Sequence, residues 1–232
     1  MKQLALDFGT APEATFESYL PGVNLHALQH LRAWLAVGSS RAGECIYLWG
    51  PSGCGKTHLL RAACNALLAQ GAACGWLDAA APLNMPFDDE WGAAFLDDVH
   101  AYDATRQHVA FTWFVNAAAP DDGAPRPILA AGREPPAALP LREDLRTRLA
   151  WGHVFELQPL DENGARCALQ RAAHARGLHM PEALANYLLT RFARDMGSLM
   201  ALLDRLDRYA WQEGRAITVP LLRKMLQHEL PE

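Results

Sequence analysis

The stretch Trp49-Gly50-Pro51-Ser52-Gly53-Cys54-Gly55-Lys56-Thr57-His58 decides how the chain is read. It fits G-x-x-x-x-G-K-[ST] from Gly50 to Thr57. The apolar run Cys45-Ile46-Tyr47-Leu48-Trp49 leads into it, and Leu59, Leu60, Ala63 and Leu67 follow at helical spacing. The motif therefore has the strand–loop–helix setting it needs; without that setting it would be a glycine-rich turn capping an ordinary helix. Glycines let backbone N–H groups close around phosphate oxygens, and the following helix aims its positive end at them. Residues Gly50, Pro51, Ser52, Gly53, Cys54, Gly55, Lys56, Thr57 and His58 are thus the expected contacts to ADP or ATP. Lys56 is expected at the β/γ-phosphates and the Thr57 hydroxyl on Mg²⁺. Only three lysines (Lys2, Lys56, Lys224) stand against eighteen arginines, so a lysine inside the loop is not background usage.

Composition bounds what surrounds this site. A chain of 232 residues, half hydrophobic and 20% charged, has room for one sizeable core or two small domains. No run of about 18 apolar residues predicts a membrane span. Asp7 breaks the N-terminal stretch before it becomes a signal-peptide core, so a cytoplasmic protein is expected. The five cysteines form no C-x-x-C pair and read as reduced thiols used as small hydrophobes. The nine histidines are scattered, and no zinc site is expected from them. A net charge of −5 without a basic tail argues against a protein that grips DNA by itself.

Apolar runs then alternate with helical patterns. Helices are predicted over 24–36, 56–70, 105–118 and 142–149, and strands over 45–49, 73–77, 93–98, 127–131 and 154–157. Residues 79–90 read as a loop or a poor helix. After Pro159 the strand signals fade, and 161–176, 181–193, 195–211 and 219–227 read as helices. The expected fold is an α/β P-loop core with a parallel five-stranded sheet, followed by an all-helical lid. The expected divisions are an arm over 1–12, a nucleotide domain over 13–158 and a lid over 159–232.

Asp97 and Asp98 close the third predicted strand, about 40 residues beyond the loop, where P-loop proteins place the acid that holds Mg²⁺. Asp97 is the expected Mg²⁺ residue and Asp98 a candidate for positioning the attacking water; the alternative is a pair of acids capping the next helix. On the short helix at 142–149, Arg148 projects beside the Leu141, Leu145 and Leu149 stripe, within about 20° of Leu141. Two readings stand: a cation near a helix C-terminus, or an arginine finger given in trans to a neighbour's γ-phosphate.

Together these features resemble the AAA+ module of the bacterial replication initiator DnaA and, more closely, the Hda family of DnaA regulators. The matching residues are Thr15-Phe16-Glu17-Ser18-Tyr19, Tyr47-Leu48-Trp49-Gly50 through His58-Leu59-Leu60, and Phe95-Leu96-Asp97-Asp98-Val99-His100. Pro135-Pro136, Asp144-Leu145-Arg146-Thr147-Arg148-Leu149-Ala150-Trp151-Gly152 and Leu203-Asp204-Arg205-Leu206 complete them. The resemblance implies a regulator of chromosomal replication that stimulates hydrolysis of DnaA-bound ATP through Arg148. It also implies docking on the DNA polymerase sliding clamp, since Gln3-Leu4-Ala5-Leu6-Asp7-Phe8 matches Q-L-x-L-x-F at Gln3, Leu4, Leu6 and Phe8. The sequence stops at Glu232 after the lid, so no DnaA-type DNA reader is expected and DNA is reached only indirectly. A homodimer stays open, as do a self-assembling AAA+ ATPase and a non-hydrolysing adaptor. The chain departs from the pattern at two places. Gly132-Arg133-Glu134 stands where relatives carry the sensor-1 Asp-Arg, and Gly197 aligns with the sensor-2 arginine, which Arg194 is expected to replace. Weak intrinsic hydrolysis follows as an expectation.

Overall fold

Five short apolar segments pair side by side: β1 (Cys45–Trp49), β2 (Ala73–Leu77), β3 (Trp91–Leu96), β4 (Ile128–Gly132) and β5 (His153–Glu156). Every pairing is parallel, in the order β2-β3-β4-β1-β5. The computed structural model describes residues 14–36, 43–82, 85–119, 123–192 and 195–229. These divide into two compact units, one over 14–159 and one from Leu160 onward.

In the first unit, period-two alternation sorts each strand's side chains onto two faces. Ile46, Leu48, Phe95, Leu129 and Ala131 pack with residues of α1 (Leu25–Leu35) and α2 (Lys56–Ala69). Tyr47, Ala94, Leu96, Ile128 and Ala130 face the other way, against α3 (Ala104–Ala118) and α4 (Glu143–Ala150). A parallel sheet covered on both faces needs near-continuous apolar strands, and β1, β3 and β4 supply them. The edge strand β5 does not: only Phe155 within it is even half-buried, and Leu157 beyond its end is the buried anchor.

Several local expectations change. The third strand ends at Leu96, so both acids lie past it. Neither caps the next helix. That task falls to Asp103, whose carboxylate accepts from the Arg106 N–H at 2.8 Å. Residues 79–90 hold no helix among those described. The helix α4 starts at Glu143, leaving Leu141 ahead of it, so helical periodicity does not set Arg148 beside Leu141 as expected.

The second unit is four helices: α5 (Glu162–Ala175), α6 (Glu182–Arg191), α7 (Met196–Glu213) and α8 (Val219–Glu229). Asp161 caps α5 and Asp195 caps α7, each accepting from first-turn amides. Leu169, Leu184, Leu188, Leu199, Leu203, Leu206 and Leu222 are fully buried together, each contributing about 1.5–3 kcal/mol of transfer energy. Arg176, just past α5, donates from Nε to Asp204 on α7 at 2.9 Å, bracing the bundle. No helix among the described residues is long and apolar enough to cross a membrane.

Candidate functional site

The carboxyl ends of β1, β3 and β4 build the site, the usual place for a ligand in an open parallel sheet. β1 delivers the chain into the loop at Gly50, whose φ of 147° is open to glycine, and a Cβ there would stand 2.2 Å from the Leu157 carbonyl. Gly55 ends the loop at φ 94°, its would-be Cβ 2.6 Å from the Tyr19 ring. The Leu59 N–H, donating to Gly55 at 3.0 Å, opens the helical ladder of α2. Amides ahead of it have no intrahelical acceptor, which is the donor set a phosphate chain requires.

Lys56 is buried, with Nζ donating to the Gly50 and Pro51 carbonyls at 2.8 Å each and lying 3.7 Å from Cys54 Sγ. Two neutral carbonyls do not balance a buried ammonium, so the pocket suits an anion. Burial pushes the Cys54 thiol up despite the lysine beside it, so Cys54 is no thiolate nucleophile.

The Thr15–Tyr19 segment folds over this loop. His58 Nε2 lies 3.0 Å from the Thr15 carbonyl and 3.1 Å from Ser18 Oγ. A carbonyl only accepts, so that nitrogen carries the proton. Burial holds the His58 pKa below the ordinary imidazole value, partly offset by the Thr15 bond. The Tyr19 hydroxyl donates to Cys54 O at 3.3 Å and accepts from Asn24 Nδ2 at 3.1 Å. Asn24 also clamps the backbone of Gln158 in both directions, at 2.8 Å each way. The Thr15–Tyr19 and Lys56–His58 parts of the resemblance are thus two sides of one contact, which the sequence separated by 40 residues. Asn24 was missed because it reads as an ordinary helix start.

The two acids part company. Asp97 is buried and its Oδ1 accepts from Thr57 Oγ1 at 3.2 Å and from the Asp98 N–H at 3.0 Å. Desolvation raises its pKa, with the Thr57 bond opposing. A buried carboxylate beside a helix-start hydroxyl is a hard-oxygen pair of the kind Mg²⁺ takes through its water shell. Asp98 points to solvent, at φ 51° the one non-glycine residue with positive φ among those described. His100 Nδ1 sits 3.8 Å from it, buried and without a hydrogen bond.

Arg148 lies in the last turn of α4, half-buried. Its guanidinium covers the Phe111 ring at 5.0 Å and the Trp151 ring at 5.4 Å. Among the described residues no carboxylate pairs with it, whereas Arg142 bonds Asp144 at 2.6 Å and Arg146 reaches the Ala137 carbonyl. Two clefts meet at Arg148 and Trp151. One of about 360 Å³ includes Glu44, Phe114 and His153; the other, about 670 Å³, includes Phe111, Asp144 and Thr147. Neither is lined by the phosphate loop. The sequence pointed to Arg148 but not to Phe111, which α3 brings from 37 positions earlier.

Residues 161–226 match the family model described as the lid domain of Hda. Over 95% of this chain and 98% of its own length, domain III of the Thermotoga maritima replication initiation protein DnaA superposes with a TM-score of 0.73 at 19% identity. AMPPCP-bound DnaA from Aquifex aeolicus gives 0.62 at 22% identity, covering 96% of this chain and 71% of its own. A Thermotoga maritima RuvB mutant gives 0.64 at 16%, covering 93% and 72%. The second unit thus resembles the lid of Hda, and the chain as a whole shares the fold of DnaA domain III.

The two departures from the DnaA-like pattern have different physical settings. Gly132 ends β4 directly against Tyr47: a Cβ there would lie 2.1 Å from the Tyr47 hydroxyl, which donates to the Glu134 carbonyl at 2.7 Å. The tyrosine occupies the space that a side chain at 132 would need, and burial keeps its phenol protonated. Gly197, in the first turn of α7, donates its N–H to Asp195 at 3.2 Å. Arg194, and Gln3, Leu4, Leu6 and Phe8 of the clamp motif, lie outside the described residues.

Proposed function

We propose that this chain is a DnaA-related regulator of replication initiation that holds ADP or ATP in the 50–58 loop and presents Arg148 to the ATP bound by DnaA. One observation carries the reading: Arg148 is a half-exposed cation with no acid partner among the described residues, held between two rings at clefts its own loop does not line. Aromatic faces attract a guanidinium without neutralising it. The charge is therefore pre-oriented yet available to a developing negative charge on another subunit's triphosphate, where such a group contributes about 10³–10⁵ in rate.

The chain's own nucleotide is read as chiefly structural. Mg²⁺, held by Thr57 and Asp97, would supply the charge neutralisation that phosphoryl transfer needs. Yet Gly132 offers no acid or amide beside it, which leaves Asp98, among the described residues, as the candidate to orient water. Intrinsic turnover is accordingly weak. Gln3, Leu4, Leu6 and Phe8 are assigned to the sliding clamp, with Leu6 and Phe8 as buried anchors.

The test is ATP hydrolysis by DnaA with this chain, loaded clamp and DNA. Arg148→Ala should keep nucleotide and clamp binding while removing the stimulation; retained stimulation would show the arginine misassigned. ATP-dependent self-assembly with rapid turnover in the absence of DnaA would instead favour a self-acting AAA+ motor.

A further inference from the structure

The helix α1 carries His26 and His30 four residues apart, a pair that the expectation of no zinc site overlooked. What the sequence did not reveal is that the fold adds two more donors beside His30. Strand pairing sets His153 opposite Ile46, and Glu44 lies one pleat before Ile46 on the same side of β1. Gly152 permits the approach, since a Cβ there would stand 1.8 Å from the Cys45 carbonyl. As a result, one donor atom each from His30, Glu44 and His153 lies within 4.8 Å of the others. The two imidazole rings are 4.2 Å apart, and Phe155 closes the inner side, 5.0 Å from the His30 ring. His30 Nε2 is buried and makes no hydrogen bond. A buried ring nitrogen without a partner costs free energy, and such a group in a native fold calls for an explanation.

We infer that His30, Glu44 and His153 form a binding site for a divalent transition-metal ion of the Zn²⁺ class. Two imidazoles and a carboxylate are the ligand set of three-protein-ligand zinc centres, which leave a fourth position to water. Imidazole selects against Mg²⁺ and Ca²⁺, so this site differs in chemistry, as it does in residues, from the Thr57–Asp97 pair. Tetrahedral bonding needs donors about 3.4 Å apart. The trio must therefore close by roughly an ångström, which side-chain rotation provides because His153 is exposed and Glu44 half-buried. An ion here ties α1 to the approaches of β1 and β5, the weakly buried sheet edge. Glu44 and His153 also line the 360 Å³ cleft that Arg148 borders, so occupancy would stiffen one wall of that cleft.

The experiment uses the whole chain without an affinity tag, titrated with Zn²⁺ in a calorimeter and with Co²⁺ followed by visible absorption. One ion should bind per chain and Zn²⁺ should raise the melting temperature. His153→Gln and Glu44→Gln, both at surface positions and checked for fold by circular dichroism, should each weaken binding by at least about tenfold. His26→Gln should leave it within about twofold. The inference is overturned by a thiolate-to-cobalt charge-transfer band, by binding that survives His153→Gln and Glu44→Gln unchanged, or by no binding at millimolar Zn²⁺. None of these readouts depends on DnaA stimulation, so a failed DnaA assay leaves the inference intact.

Discussion

Replacing Gly132 by alanine tests the packing that separates this chain from the sensor-1 pattern. The new methyl would stand 2.1 Å from the Tyr47 hydroxyl, whereas ordinary contact begins near 3.5 Å. Tyr47 cannot swing aside freely, because its side chain is fully buried and its hydroxyl is anchored on Glu134 O at 2.7 Å. Opening the contact by more than an ångström should cost about 1–3 kcal/mol as overpacking, plus about 1 kcal/mol as the hydroxyl leaves its acceptor. Tyr47→Phe alone should cost only about 0.5–1.5 kcal/mol, because residue 134 is exposed and water can satisfy its carbonyl. With the hydroxyl gone, the next contacts of the added methyl are at 3.1 Å, to the ring carbon of residue 47 and to Val99. Gly132→Ala should therefore be cheaper in the Tyr47→Phe background, with a coupling of about 1–2 kcal/mol. That exceeds the 0.3–0.5 kcal/mol scatter of independent sites. Urea unfolding of the four proteins, followed by circular dichroism, measures it. Additivity within 0.5 kcal/mol would refute the claim that the tyrosine excludes a side chain from position 132.

Lys56→Ala should weaken binding of a fluorescent ADP analogue by about 2–5 kcal/mol, the cost of removing one partner from a buried charge pair. Unchanged polarisation titrations would contradict the assignment of the loop. Asn24→Ala leaves both backbone groups of Gln158 without their partner and should destabilise the sheet unit by about 1–3 kcal/mol, read as a lower denaturation midpoint. Arg148→Ala removes two cation–ring contacts and should cost no more than about 1–2 kcal/mol. A melting temperature near the parent's, alongside lost DnaA stimulation, separates function from folding.

Which features were legible follows from distance along the chain. The loop, its flanking strand and helix, and the four-helix character of the second unit rest on spacings of a few residues, and these carry local conformational preference directly. Asp97 and Asp98 look alike in sequence, yet one is buried against Thr57 and the other exposed in a left-handed turn, because β3 stops at Leu96. In sequence β5 resembles any other strand; its exposure depends on having a neighbour on one side only.

By itself, the order of residues determined that a phosphate-cradling loop would sit between a buried strand and a helix, since glycine freedom and apolar periodicity act within one turn or pleat. Only the tertiary structure decided what stands beside what. Parallel register carried Glu44 and His153 to His30, α3 laid Phe111 under Arg148, and Tyr47 filled the space at Gly132. Those neighbours come from segments tens of residues apart, and sheet pairing with close packing, not local propensity, selects them.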